Sequence, residues 1–146
     1  MTTESDLLGT WDLVEFVILI DGEIRSHPFG SNPEGQIMYG ADHRVSAILM
    51  ERDRPWIDGS IYTFDASIEE CGKAAKKFTA YGGRFELLDE VVVHHVHLSL
   101  YPEMVGTDLT RTIEWRDDLL VLETDHERTK SGKTMWQRLS WRRPAI

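Results

Sequence analysis

The sequence predicts an all-β fold of about eight antiparallel strands in meander order, closed into an up-and-down barrel with one short helix. Three observations carry that expectation. Apolar and β-branched runs of strand length recur along the chain, each stopped by turn residues. Only one stretch, about residues 67–78, combines helical spacing with a capping signal. The 146 residues contain no linker-like stretch and no repeat, so a single domain over 1–146 is expected to shield its own strand edges. Closing the sheet removes those edges, and eight closed strands leave an interior that side chains fill or that holds one small ligand.

Residues 11–20, WDLVEFVILI, form the first strand, ended by the turn pair Asp21-Gly22. Residues 25–34 hold Pro28 and Pro33 and read as a loop. GQIMYG at 35–40 and RVSAILMER at 44–52 pair as a hairpin across Ala41 to His43, and 53–60 is a second loop. Ser67 with Glu70 three residues later has the spacing of a capping box, in which each side chain satisfies the other's free backbone N–H. Ile68, Cys71, Ala75 and Phe78 follow as one apolar stripe, although Gly72 weakens the helix by about 1 kcal/mol against alanine. Such a helix packs its stripe on the sheet or caps the open end of a barrel. The remaining strands are residues 79–88, 91–101, 108–115, 119–125 and 134–143.

Charge and composition narrow the functions. Sixteen basic residues against 25 acidic ones leave a net charge of −9. That argues against nucleic acid, whose phosphates are held by clustered Lys and Arg, and against anionic membrane surfaces. Cys71 is the single cysteine, so no internal disulfide forms, and its apolar neighbours make it a packing thiol. The N-terminus MTTESDLLGTW lacks the apolar run of a signal peptide, and no window approaches the ~20 apolar residues of a membrane span. A cytoplasmic protein is expected. No phosphate loop, dinucleotide fingerprint or Gly-x-Ser-x-Gly elbow is present, and no cofactor is expected.

Leu8-Gly9-Thr10-Trp11 entering the first strand resembles the opening of lipocalin-type barrels. There the tryptophan plugs the closed end and an arginine of the last strand lies over it; Arg138, Arg142 and Arg143 are the candidates here. More of the chain agrees. Tyr81, Gly83 and Phe85, then His95, Ser99, Pro102 and Gly106, then Arg111, then Leu120 and Leu122 match the pattern of the lipocalin-like domain family, small β-barrels of bacteria and fungi. The resemblance spans about residues 5 to 142 and implies the barrel fold. It leaves the activity open, because barrels of this kind serve many ends.

The strand VVVHHVHLSLY at 91–101 bears most on function. Alternate residues share a face. Val91, Val93, His95, His97, Ser99 and Tyr101 lie on one side, and Val92, His94, Val96, Leu98 and Leu100 on the other. An ordinary sandwich would bury the aliphatic side. The resemblance, which sets His95 and Ser99 on one face, favours the polar-tipped side as a cavity wall, with the aliphatic side covered by the helix or by a partner. His95 and His97 then have three possible roles. They could chelate a metal, but a third ligand is wanting: Glu103 lies beyond the strand, so no metal is expected. His95 could act as general acid and base with Tyr39, Tyr81, Glu15 or Glu114 nearby. They could simply hydrogen-bond an otherwise apolar ligand.

Arg111 alternates with Leu109, Ile113 and Trp115. It either snorkels, pairs with Glu15 or Glu86, or grips an anionic ligand group beside His95. Three readings follow. The first is a barrel holding a small, largely apolar molecule, with His95, Arg111 and Tyr81 as its reactive or anchoring groups and Tyr39, Trp56, His97, Ser99 and Trp115 as contacts. The second is a cofactor-independent isomerase, cyclase or lyase of a polyketide- or terpenoid-like metabolite, in which His95 moves the proton and Arg111 and Tyr81 stabilise oxyanion character. The third is a packed β domain that works as a homodimer.

Overall fold

A computed structural model of the chain describes residues 1–56 and 61–145. Its runs of alternating residues form ten strands: β1 (Gly9–Ile20), β2 (Glu23–Ser26), β3 (Glu34–Tyr39), β4 (Arg44–Met50), β5 (Phe78–Leu88), β6 (Val91–Ser99), β7 (Asp108–Arg116), β8 (Leu119–Thr124), β9 (Glu127–Arg128) and β10 (Thr134–Arg142). Neighbours pair antiparallel in the order β2-β1-β3-β4-β5-β6-β7-β8-β10-β9. β1 also pairs with β10, from Asp12↔Arg142 to Ile20↔Met135. Eight strands thereby close into a barrel, and β2 and β9 lie outside it. The hairpin of β1 and β2 extends into the stretch expected as a loop, because Asp21 and Gly22 both take positive φ, as a tight two-residue turn requires. Among the described residues no helix is long and apolar enough to cross a membrane.

One end of the barrel is plugged. The short helix α1 (Glu4–Leu7) folds beneath it, and the buried Trp11 donates its indole N–H to the carbonyl of Leu7 at 2.9 Å. The guanidinium carbon of Arg143 lies 3.8 Å from the Trp11 ring centroid, so Arg143 is the arginine of the expected stack. Gly9 suits this corner because its φ is +105°, a conformation that residues with a Cβ rarely adopt. Trp115 packs against Trp11, ring centroids 5.8 Å apart, and donates to Thr2 Oγ1.

The opposite end carries the helix α2 (Ile68–Lys76), whose N-cap Ser67 accepts from the Glu70 N–H at 3.1 Å as its spacing predicts. Its packing differs from the expectation. Ile68 is 92% exposed, and Glu70 is the residue the helix buries. The helix is held by its C-terminal turn: Tyr101 donates to the Ala75 carbonyl, and the adjacent Lys77 donates to Pro28. The loop expected over 53–60 is described as far as Trp56, and residues 57–60 lie outside the described residues.

β6 reverses the expected orientation. Val92, His94 and Val96 point inward and are buried, while His95 sits on the outer face with His97 exposed. The aliphatic side wins the interior because the wall must pack against Phe85, Ile113 and Leu120, whereas the His95 ring finds two carboxylates outside. Beyond that point the alternation breaks. Gly82 pairs with Leu98 but Gly83 with Val96, so His97 is the extra residue of a bulge. Only glycine fits opposite it. A Cβ on Gly83 would come within 1.8 Å of the His95 carbonyl oxygen.

Gly83→Ala should therefore cost about 1–3 kcal/mol, read as a lower denaturant midpoint, because the bulge must open to admit the methyl group. Gly72→Ala, on α2 with nothing within 4 Å of the new Cβ, should instead gain about 0.4–1 kcal/mol.

Candidate functional site

The barrel encloses a cavity of about 330 Å³ between the Trp11 plug and the α2 end, at the small end of ligand-sized pockets. Its apolar wall comes from inward residues of β1, β3, β4, β7, β8 and β10, including Phe16, Ile37, Leu49, Leu109, Leu122 and Trp141. Pro28, Phe29, Lys76, Tyr101 and Met104 line it from the loops and from α2 at the open end. Tyr81 on β5, His94 on β6 and Arg111 on β7 enter the wall from consecutive strands, and Thr79 on β5 and Gln137 on β10 are further polar residues of the lining. No Asp or Glu lines the cavity among the described residues.

His94 is 1% exposed and bonded on both ring nitrogens. Its Nε2 is 2.7 Å from the Tyr39 hydroxyl, and its Nδ1 is 2.7 Å from the Tyr81 hydroxyl. Burial, helped by the nearby Arg111 charge, pushes the imidazole pKa down to about 3. Burial raises Tyr39 well above the ordinary phenol value and Tyr81 to about 12. At neutral pH the cluster is two phenols and one neutral imidazole. Arg111 donates to the carbonyl of Thr110 at 3.0 Å, and no carboxylate pairs with it among the described residues. The two acids that could have neutralised it are engaged elsewhere: Glu15 with Arg138 and Glu86 with His95.

The residues singled out from sequence divide accordingly. Tyr81 and Arg111 line the cavity. Tyr39 is buried behind His94 and does not reach the wall. His95 lies outside, its Nδ1 and Nε2 each 2.7 Å from a carboxylate oxygen, of Asp108 and Glu86 respectively. Those two hydrogen bonds raise its pKa. Ser99 hydrogen-bonds the Met104 sulfur and the Tyr101 N–H, and His97 is exposed. Trp56 lines a separate depression with Cys71, Ala74 and Phe78, and Trp115 belongs to the plug. Among the described residues no group of three His, Cys, Asp or Glu side chains is placed to hold a metal ion. The cavity imidazole is therefore that of His94. A signal for it was present: one histidine on an otherwise aliphatic strand face has to find partners when that face is buried, and tyrosines supply them.

Residues 8–144 match the lipocalin-like domain family. The chain belongs to this family. It is also similar to a curated protein of Aspergillus oryzae described as a 4'-hydroxy-3'-methoxypropiophenone carrier protein, with 31% identity over 107 residues, 68% of this chain and 96% of the relative. A lipocalin-like barrel with a carrier among its relatives supports small-molecule binding in general.

The two histidines should oppose each other in pH dependence. The unfolded chain takes up a proton on His94 below about 6.5, whereas the folded protein resists protonation down to about 3. Stability from His94 is thus lost as pH falls through that window. His95 is raised in the folded state, so its contribution is present in acid and fades as pH rises through the folded value. In urea melts from about pH 7 to about pH 4, His94→Gln should flatten the acid loss, at a cost of about 1–3 kcal/mol near neutrality. His95→Gln should steepen the loss. Parallel profiles for both variants would contradict these assignments.

Proposed function

We propose that this lipocalin-like protein carries a small, largely apolar molecule in its barrel and anchors the molecule's polar end with Arg111 and Tyr81, the latter oriented by His94. The observation that carries the proposal is Arg111: a guanidinium in an apolar wall without a carboxylate partner among the described residues. Such a charge is costly to bury unless an acceptor meets it, and a ligand oxygen is an acceptor the cavity can admit. The volume of about 330 Å³ suits one aromatic ring with short substituents. The propiophenone named for the Aspergillus relative is of that size and kind. Carriage is favoured over turnover, because an imidazole held neutral down to about 3 is poorly poised to exchange protons near neutrality.

Native mass spectrometry of the purified protein should show a co-purifying small molecule. Titration with 4'-hydroxy-3'-methoxypropiophenone, followed through tryptophan fluorescence because Trp141 is a wall residue, should saturate at one site. Arg111→Met should weaken that binding about 10- to 100-fold, the worth of a charged hydrogen bond, and His95→Gln should leave it unchanged. Equal affinity in Arg111→Met and wild type would sink the proposal.

A further inference from the structure

The hydrogens of the Tyr39–His94–Tyr81 cluster can be counted. Two phenols and one neutral imidazole bring three, and the two contacts of 2.7 Å use one each. One hydrogen is left over, and it belongs to one of the tyrosines. Tyr39 is 2% exposed and, among the described residues, has no hydrogen-bond partner besides His94. If Tyr39 accepted from Nε2–H, its own hydrogen would be stranded among apolar side chains, the costliest kind of unmade bond. Tyr39 therefore donates to Nε2. The imidazole proton then sits on Nδ1 and is donated to the Tyr81 oxygen. The spare hydrogen is that of Tyr81, the one phenol of the pair that lines the cavity.

Tyr81 is thus a donor facing the same space as Arg111, a side chain with donors only. Trp141, also in the wall, has its indole N–H buried with no partner among the described residues. Lys76 at the open end adds a further donor; among the described residues no carboxylate lines the cavity, and Thr79 and the Gln137 amide are further polar side chains of its lining. We infer that the polar end of the cavity is a donor site, made by the Tyr81 hydroxyl and the Arg111 guanidinium, that selects ligands headed by a carbonyl oxygen over ligands headed by a donor. The inference rests on the cavity being a ligand site, and it deepens that reading by naming the chemical group received. His94 and Tyr39 are positioning residues: both ring nitrogens of His94 are taken up by the two tyrosines, so it offers the ligand no hydrogen bond and orients the Tyr81 hydrogen.

Three probes of similar shape test it: propiophenone, propylbenzene and 1-phenylpropylamine, which carries its nitrogen on the carbon that bears the ketone oxygen. Propiophenone should bind about tenfold or more tighter than propylbenzene, and the ammonium probe weakest, because an unanswered donor penalises the wrong head group. The carbonyl stretch of bound propiophenone should fall in frequency, and Tyr81→Phe should reverse part of that fall while still binding propylbenzene. Nitrogen NMR of His94 should show the proton on Nδ1. Equal affinities for propiophenone and propylbenzene with an unshifted carbonyl would overturn the donor site and leave small-molecule binding standing. A proton on Nε2 would also overturn it, since the spare hydrogen would then be that of Tyr39. Failure of all three probes to bind would remove the cavity reading itself, and the donor site with it.

Discussion

The pairing of β1 with β10 is the contact on which the rest of the molecule depends. It joins the first strand to the last and so turns a meander with two exposed edges into a closed wall. A wall of eight strands has an interior by geometry alone, and the side chains decide whether that interior is filled. Here the lower end is filled by Trp11, Leu7 and their neighbours, with Arg143 stacked beneath. The upper part is left hollow.

The hollow is largely apolar, and its buried polar groups concentrate on one stripe that crosses β5, β6 and β7. That stripe obeys the rule for buried polar groups: each must be bonded, or something must arrive to bond it. His94 is satisfied on both nitrogens by tyrosines, and burial keeps it neutral. Arg111 is only partly satisfied, by a backbone carbonyl of its own strand. A fully satisfied imidazole thus stands beside a guanidinium with donors left unused, one group held rigid at both nitrogens and the other bonded to a single backbone carbonyl. The outer face of the same strands follows the opposite logic. His95 rests in solvent between two carboxylates, with its pKa raised instead of lowered. Two adjacent residues on one strand thereby occupy contrary electrostatic environments, because neighbouring side chains face opposite sides of a sheet.

Much of this was legible in the chain. Strand positions followed from alternation and turn residues, α2 from the Ser67–Glu70 spacing, and the plug from the Gly9–Trp11 opening, because each depends on residues close in sequence. That Leu109, Arg111 and Ile113 share one face of β7 was legible too, because alternation groups them against Thr110, Thr112 and Glu114. The exposure of Ile68 was not. Whether a helical stripe is covered depends on how the helix docks, which no local pattern records.

Alternation alone set out two faces for β6 and assigned every residue to one of them as far as the bulge. Choosing between those faces was beyond it, since a period of two is symmetric under exchange of inside and outside. Tertiary structure broke that symmetry. Packing against Phe85, Ile113 and Leu120 drew the valines inward, and the carboxylates of Glu86 and Asp108 held His95 out. His94 came in with the valines and met two phenols that the barrel's curvature brings together from β3 and β5, 55 and 13 residues away. The chain by itself determined which side chains travel together, because that is a property of strand geometry. Which group faced the hollow was decided by contacts across the closed sheet, because burial depends on residues far apart in sequence.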